Sequence, residues 1–409
     1  MALDLEFVRA QFPAFAEPAL AGLAFFENAG GAFPCRQVTG RLERFYRERK
    51  VQPYHAFAAS EAGGAEMDEA RARLAALMGV ATDEVMFGPS TSANTYVLAQ
   101  ALRRLLRGEG GAIVVTDQDH EANAGVWRRL AEDGVEVREW RVDPATGSLN
   151  PAGLRPLLAD GRVSLLAFPH CSNVVAEINP VAEICAMARA AGAMTVVDGV
   201  SYAPHGLPDV AALGCDVYLF SAYKTYGPHQ GIMVARAAFV ARMPCEGHWF
   251  NAGSAVKRLT PAGPDHAQVA ACAGIADYVE ALADRHGIAG SPVVRAAGVH
   301  DLMRAAEIEV VGPLLDFLAS RNDLRLVGPR RAEARAPTVA VDIGARAGAA
   351  AAALGRMGIG VGASDFYAVR PLAAMGIDTD VGVLRMSLVH YTSADEVARL
   401  IRGLESVLA

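Results

Sequence analysis

The 409-residue chain has almost no lysine: of its 38 Lys and Arg residues only Lys50, Lys224 and Lys257 are lysines. It uses arginine wherever a generic cation suffices, yet a guanidinium stays protonated and forms no imine under these conditions. A lysine kept against such a bias is a candidate for chemistry that arginine cannot perform. Cysteine is sparse too. Cys35, Cys171, Cys185, Cys215, Cys245 and Cys272 form no C-x-x-C pair and no regular framework. That argues against a disulfide scaffold and for a reducing cytoplasm, with the thiols as small core residues. No apolar run approaches the length of a membrane span. The opening MALDLEFVRAQFPAF carries Asp4, Glu6 and Arg9 among its apolar residues, which reads as an amphipathic helix rather than a signal-peptide core. A net charge of −7 and a pI near 5.8 give no electrostatic reason to expect nucleic acid or an anionic membrane as partner.

Apolar residues, at 52% against 20% charged, suit a compact globule, and the length exceeds one ordinary core, so two domains are expected. The middle of the chain alternates short apolar runs with helical patterns. Candidate strands are Ala112–Thr116, Val163–Phe168, Met194–Val197, Val217–Phe220 and Ile232–Ala235, preceded by a short one at EVMF. Helices are expected over Glu66–Met78, Ser92–Arg107, Ala122–Asp133 and Val181–Ala191. Continuous apolar strands separated by helices predict an α/β fold with a mostly parallel sheet covered on both faces. Beyond about residue 285 a long helix (Val294–Arg321) leads to strands Thr338–Ile343 and Val383–Leu388 and helices Ala347–Met357 and Ala394–Leu408. The expected division is an N-terminal segment 1–27 packing with the small domain, a large domain 28–285 and a small C-terminal α/β domain 286–409. The Gly-, Pro- and Arg-rich stretches Ala252–Pro264 and Gly328–Pro337 read as exposed loops.

Ligands of open parallel sheets bind beyond the carboxyl ends of the strands. There the sequence sets His120 after AIVVT, Asn173 after VSLLAF, Asp198 after MTVV, and Ser221 with Lys224 at VYLF. This set answers the requirements of pyridoxal 5'-phosphate. Lys224 offers the primary amine for a Schiff base, and burial favours its free form. Asp198 is the natural counter-ion for a protonated ring nitrogen, Asn173 can serve the ring oxygen, and His120 can cover the ring face. Ser90, Thr91 and Ser92 open a helix whose free N–H groups and hydroxyls suit a phosphate, and Ser221 adds another hydroxyl. Each residue has an ordinary alternative. Lys224 can snorkel to the surface, Asp198 and the Ser90–Ser92 run can simply cap helices, His120 can be solvated, and Asn173 can stabilise a turn.

Several motifs in order resemble the class V aminotransferase family, which includes cysteine desulfurases, selenocysteine lyases and isopenicillin N epimerase-like proteins. They are FENAGG around Asn28, Gly88–Asn94, DHEAN with Trp127, HCSNVVAEINP, VVDGVSYAPH, FSAYKTYGP and VLRMSLVHYTSADEV. The resemblance implies the aspartate-aminotransferase-like fold (fold type I), a homodimer and an amino-acid substrate. It puts the cofactor on Lys224, the ring-stacking imidazole at His120, the pyridinium carboxylate at Asp198, and the phenolate-oxygen partner at Asn173. It also places Ser201 and Tyr223 at the cofactor, and Asn28, Ala29, Tyr367 and Arg385 at the substrate, with Arg385 on its carboxylate. Asp365, Phe366 and Arg370 are expected to shape the same pocket.

The departures limit the reaction. The segment Val361–Tyr367, where desulfurases carry a persulfide cysteine, has no thiol, and the last cysteine is Cys272. Tyr223 and Ser201 replace the family's histidine and glutamine, and AGPDH around Gly263 replaces its GTPN loop. The expectation is therefore an enzyme acting at an amino acid's α-carbon, leaning to a β-eliminating lyase, with C–S cleavage one form of it. Alternatives are an aminotransferase, an epimerase, or a non-catalytic cofactor-binding partner protein. Gly358–Ala363 fits G-x-G-x-x-A, but a helix precedes it and an extended segment is expected to follow, opposite to a dinucleotide site. A glycine C-cap at Gly358 is the simpler reading. His170, Cys171 and Cys185 lack metal-ligand spacing, so no metal is expected.

Overall fold

In a computed structural model that describes residues 2–109 and 111–409, the central apolar runs form one seven-stranded sheet. Its strands are β1 (Val85–Gly88), β2 (Ala112–Thr116), β3 (Glu136–Trp140), β4 (Val163–Pro169), β5 (Met194–Asp198), β6 (Val217–Ser221) and β7 (Gly231–Ala235). The order across the sheet is β1-β7-β6-β5-β4-β2-β3. From β6 to β3 all neighbours are parallel, and only β7 runs antiparallel to both of its neighbours. Residues on both faces of β2, β5, β6 and β7 are buried, as near-continuous apolar strands require. The fold class is therefore as the sequence predicts, and the five predicted strands lie within one residue of their expected ends.

A second, four-stranded antiparallel sheet gathers C-terminal segments. It contains β8 (Arg325–Val327), β9 (Thr338–Asp342), β10 (Gly362–Ser364) and β11 (Val383–Ser387), in the order β10-β11-β9-β8. Helices Pro292–Ala319 and Ala394–Val407 contribute Leu314, Leu318, Leu400 and Leu404 to its core. Ser393 opens the last helix as its N-cap and Glu396 returns the hydrogen bond, a reciprocal capping box.

The N-terminal residues divide between the two cores. Val8 and Phe12 pack with the large one, whereas Ala24 and Phe26 pack with the small one. The helix expected from Glu66 starts earlier, at Ala58. Its first turns hold Gly63 and Gly64, which pack close to Phe45 and Tyr54 and blur the apolar periodicity. The helix expected over Ala122–Asp133 runs from Glu121 to Arg128, tightens to a 3-10 turn and stops at Gly134, at φ +83°. Gly358 ends its helix at φ +71° and short extended segments follow, as the C-cap reading requires.

Two stretches read as exposed loops are partly interior. Arg335 is fully buried and donates to the carbonyls of Pro329 (2.6 Å) and Thr338 (2.6 Å), so the Gly328–Pro337 segment turns inward around it. Leu259, within the other stretch, joins the core beneath the large sheet.

Candidate active site

The carboxyl ends of β2, β4, β5 and β6 converge on a cavity of about 250 Å³. Its lining includes Ser90, Thr91, Ser92, His120, Asn173, Asp198, Ser201, Ser221, Tyr223 and Lys224, so ten of the sequence-predicted residues meet in one place. Tertiary approach, not local sequence, assembles them. Gly231 on β7 packs against the backbone of Ser90 and Thr91, where a Cβ would collide, and this lets the hydroxyl turn sit tight against the sheet. Thr91 and Ser221 hydroxyls hydrogen-bond at 2.8 Å, joining the helix start to the end of β6.

Lys224 sits in a 3-10 turn directly after β6 and keeps part of its surface open to the cavity. Burial, then the positive charge of Arg385, lowers its ammonium to about 8, with Asp198 and Glu27 partly offsetting them. Asp198 ends β5 and accepts the Val200 N–H at 2.8 Å. Burial pushes its carboxyl up to about 6 against that hydrogen bond and the Lys224 charge. An anion held this way is a ready partner for a cation entering the cavity.

His120 caps the following helix: its Nδ1 accepts the Ala122 N–H at 3.1 Å. Burial, then Lys224 and Arg385, lowers it to about 4, so the ring is neutral near pH 7 with its hydrogen on Nε2. Val200 lines the same cavity. Asn173 donates from Nδ2 to the Phe366 carbonyl at 2.9 Å, while its buried Oδ1 has no partner among the described residues. Tyr223 stacks on His229 with ring centroids 4.8 Å apart.

The residues assigned to the substrate lie differently. Asn28 is buried, donates to the Ser387 carbonyl at 2.8 Å and accepts from the Tyr391 hydroxyl. The Ala29 N–H donates to Ser387 Oγ at 2.8 Å. Both tie their segment to β11, and only a narrow space connects them with Ser201 and Lys224. Tyr367 is 70% exposed, with its ring 5.4 Å from that of His120. Arg370 Nε pairs with Glu121 at 3.0 Å. Arg385 projects from β11, is 3% exposed and pairs with Glu27.

Sequence reasoning passed over Asp119, Val200, His229 and Glu27. Asp119 is buried and accepts from the His120 N–H (3.0 Å) and from Asn123 Nδ2 (2.6 Å), while Asn123 accepts from Trp127 Nε1 (2.9 Å). Burial and the Asp198 charge hold its carboxyl well above the usual carboxylate range. Its signal was its place beside His120 in DHEAN, as that of Glu27 was its place beside Asn28 in FENAGG.

Comparison with known proteins agrees with this geometry. The aminotransferase class-V family profile matches residues 24–400. The aminotransferase-like protein FGM3 of Gibberella zeae is 30% identical over 419 residues, covering 99% of this chain and 98% of that one. A cysteine desulfurase of Serratia proteamaculans is 30% identical over 430 residues, covering 100% and 99%. Among solved structures, the cysteine desulfurase CsdA of Escherichia coli superposes with a TM-score of 0.83 at 23% identity over 100% of this chain and 99% of that one. The apo cysteine desulfurase of Thermococcus onnurineus gives 0.84 at 21% identity, over 100% and 98%. With its profile match, its relatives and its fold in agreement, the chain belongs to the class V aminotransferase family, on a fold type I scaffold.

Proposed function

We propose that this chain binds pyridoxal 5'-phosphate through Lys224 and acts at the α-carbon of an amino acid, as a β-eliminating lyase. The observation that carries the reading is the meeting of buried Asp198 and half-buried Lys224 from adjacent strands in one cavity whose other end is a hydroxyl-lined helix start. The residues fit the cofactor. Among the described residues buried Asp198 accepts from the Val200 N–H and stands in no ion pair, and Asn173 Nδ2 has a second N–H beyond the one given to the Phe366 carbonyl. Ser90, Thr91, Ser92 and Ser221 would hold the phosphate, Asp198 the ring nitrogen, Asn173 the ring oxygen, and His120 and Val200 the two ring faces. The bound cofactor supplies an aldehyde that captures an amino group and a ring that draws electrons from the α-carbon.

The chain's own residues do the rest. Lys224, with its ammonium lowered to about 8, has a sizeable free-amine fraction near neutral pH and takes the α-proton at Nζ. His120, neutral and fixed by its cap, packs over the site without adding charge. Asp198 remains the counter-ion throughout. Elimination through a protein persulfide is disfavoured, because Val361–Tyr367 has no cysteine and the thiol that lines the cavity, Cys171, is pushed by burial up to about 12. A homodimer belongs to the same reading, with Trp249 at 87% and Phe250 at 67% exposure as candidate contact residues, and a fully active monomer in sedimentation would contradict it. Among the described residues no helix is long and apolar enough to cross a membrane. All six thiols are free, which supports a reducing cytoplasm.

A panel of L- and D-amino acids, including sulfur-containing ones, followed by visible spectrum and product mass, tests the reaction. Ammonia, a keto acid and a released β-group are expected. Conversion of the cofactor to its amine form with one keto acid would make the enzyme an aminotransferase instead, which the relationship to FGM3 favours as the second reading.

A further inference from the structure

The hydroxyl-lined end of the cavity offers neutral donors, and some of those are engaged. Ser90 Oγ accepts the Ala93 N–H at 3.1 Å, and the Thr91 and Ser221 hydroxyls bond to each other at 2.8 Å. A phosphate monoester brings roughly −1.5 to −2 charge at about pH 7. Asp198 on the same lining, with its carboxyl at about 6, adds a negative charge of its own. Among the described residues that line the cavity, only His120, Lys224 and His229 can carry a positive charge. His120 is lowered to about 4 and stays neutral, and Lys224 is committed to the aldehyde in the reading above. His229 is the cation left for the phosphate.

Its place is fixed by the chain around it. The Tyr223 ring stacks on the imidazole, with centroids 4.8 Å apart and planes 6° from parallel. Lys224 Nζ lies 5.7 Å from the centre of that same ring, so the imidazole and the amine share one aromatic support. Gln230, the next residue, is buried, and its Nε2 donates to the carbonyl of Gly88, two residues before Ser90. Gly231 stands opposite Gly88 in the strand register and packs on the Ser90–Thr91 backbone, where a Cβ would collide. The Gln230 N–H donates to the Pro228 carbonyl at 2.8 Å and closes a tight turn around His229 itself. The segment that carries the imidazole is therefore locked to the hydroxyl turn. The imidazole remains exposed to solvent, and a dianion brought beside an imidazole favours its protonated form.

We infer that His229 is a phosphate-binding residue, supplying as an imidazolium the positive charge that the hydroxyl turn does not bring to the cofactor's phosphate. The inference rests on the functional reading above and adds one residue to the cofactor's cradle. The roles of Lys224, Asp198 and Arg385 are unchanged by it.

The test titrates the apoprotein, by its visible band, with pyridoxal 5'-phosphate and separately with pyridoxal, which has the same ring and aldehyde but no phosphate. Wild type, His229→Gln and His229→Arg are compared, and because His229 is exposed neither substitution enters the core. His229→Gln should weaken pyridoxal 5'-phosphate binding by about tenfold or more while leaving pyridoxal binding within about twofold. His229→Arg, which restores a permanent charge, should recover most of that loss. An unchanged ratio of the two affinities in His229→Gln overturns the inference, and so does an equal loss for both probes. A loss that His229→Arg does not relieve assigns the effect to shape rather than charge and overturns it too. Absence of a visible band with either probe in the wild type overturns the functional reading, and this inference with it.

Discussion

Asp198 should cost the cofactor-free protein stability, and Asp198→Asn should restore it. The Asp198 carboxyl is 5% exposed and pushed from an ordinary value of 3.8 up to about 6, mainly by burial. At about 1.36 kcal/mol per pKa unit, holding this anion inside costs on the order of 3 kcal/mol at pH 7 to 8. The sign follows from the two ionisation ranges. Above about pH 6 the group is ionised folded and unfolded, and the whole cost is present; below about pH 4 it is protonated in both, and the cost is gone. Asp198→Asn keeps an acceptor for the Val200 N–H at unchanged shape and also relieves Asp119, whose carboxyl the Asp198 charge raises. With an unfolding entropy of about 2.1 cal/mol/K per residue over 409 residues, the variant's apoprotein should melt about 3 °C higher at pH 8. The gain should shrink steadily to nothing at about pH 4, read by thermal scans of the two apoproteins across that range. Catalytic turnover should fall by at least about tenfold in the same variant, since the ring nitrogen loses its counter-ion. Equal melting temperatures at pH 8, or a gap that widens toward acid, would refute the reasoning.

Three further outcomes are expected. Gly231→Ala should weaken pyridoxal-phosphate affinity about tenfold or more, measured by spectral titration, because the added Cβ meets the Ser90–Thr91 backbone that forms the hydroxyl turn. Asn123→Ala leaves buried Asp119 with one hydrogen bond fewer and should lower stability by about 1–3 kcal/mol in denaturant unfolding. The rate of α-proton removal should rise with pH toward about 8 as the Lys224 ammonium loses its proton, and a rate that is flat from pH 6 to 9 would assign the base elsewhere.

The large sheet was legible because its central strands are buried on both faces and so read as unbroken apolar runs. The exception is Glu136–Trp140, an edge strand in which only Trp140 is buried, so EVREW carried no such signal. The ten residues lining the cavity were legible because the chain delivers them at strand ends, where topology rather than side-chain packing decides their meeting. What sequence could not give was pairing between distant charges. The pairing of Arg385 with Glu27, 358 positions away, left no mark in the local sequence, and for the same reason buried Arg335 looked like part of an exposed loop. Asn173 shows the limit from the other side: it lines the cavity beyond its strand end, but that one of its N–H groups is committed to Phe366 follows only from the loop's fold.

The central claim is that Lys224 carries the cofactor, and the chain's poverty in lysine makes that directly testable. Lys50 and Lys257 are both exposed, so the three candidates differ in environment. The protein is loaded with pyridoxal phosphate, reduced with borohydride to fix the carbon–nitrogen bond, digested and mapped by mass spectrometry. The account predicts one stoichiometric label on the peptide containing Lys224, lost in Lys224→Ala together with the visible band. A label confined to Lys50 or Lys257, or a visible band that survives Lys224→Ala, would contradict it.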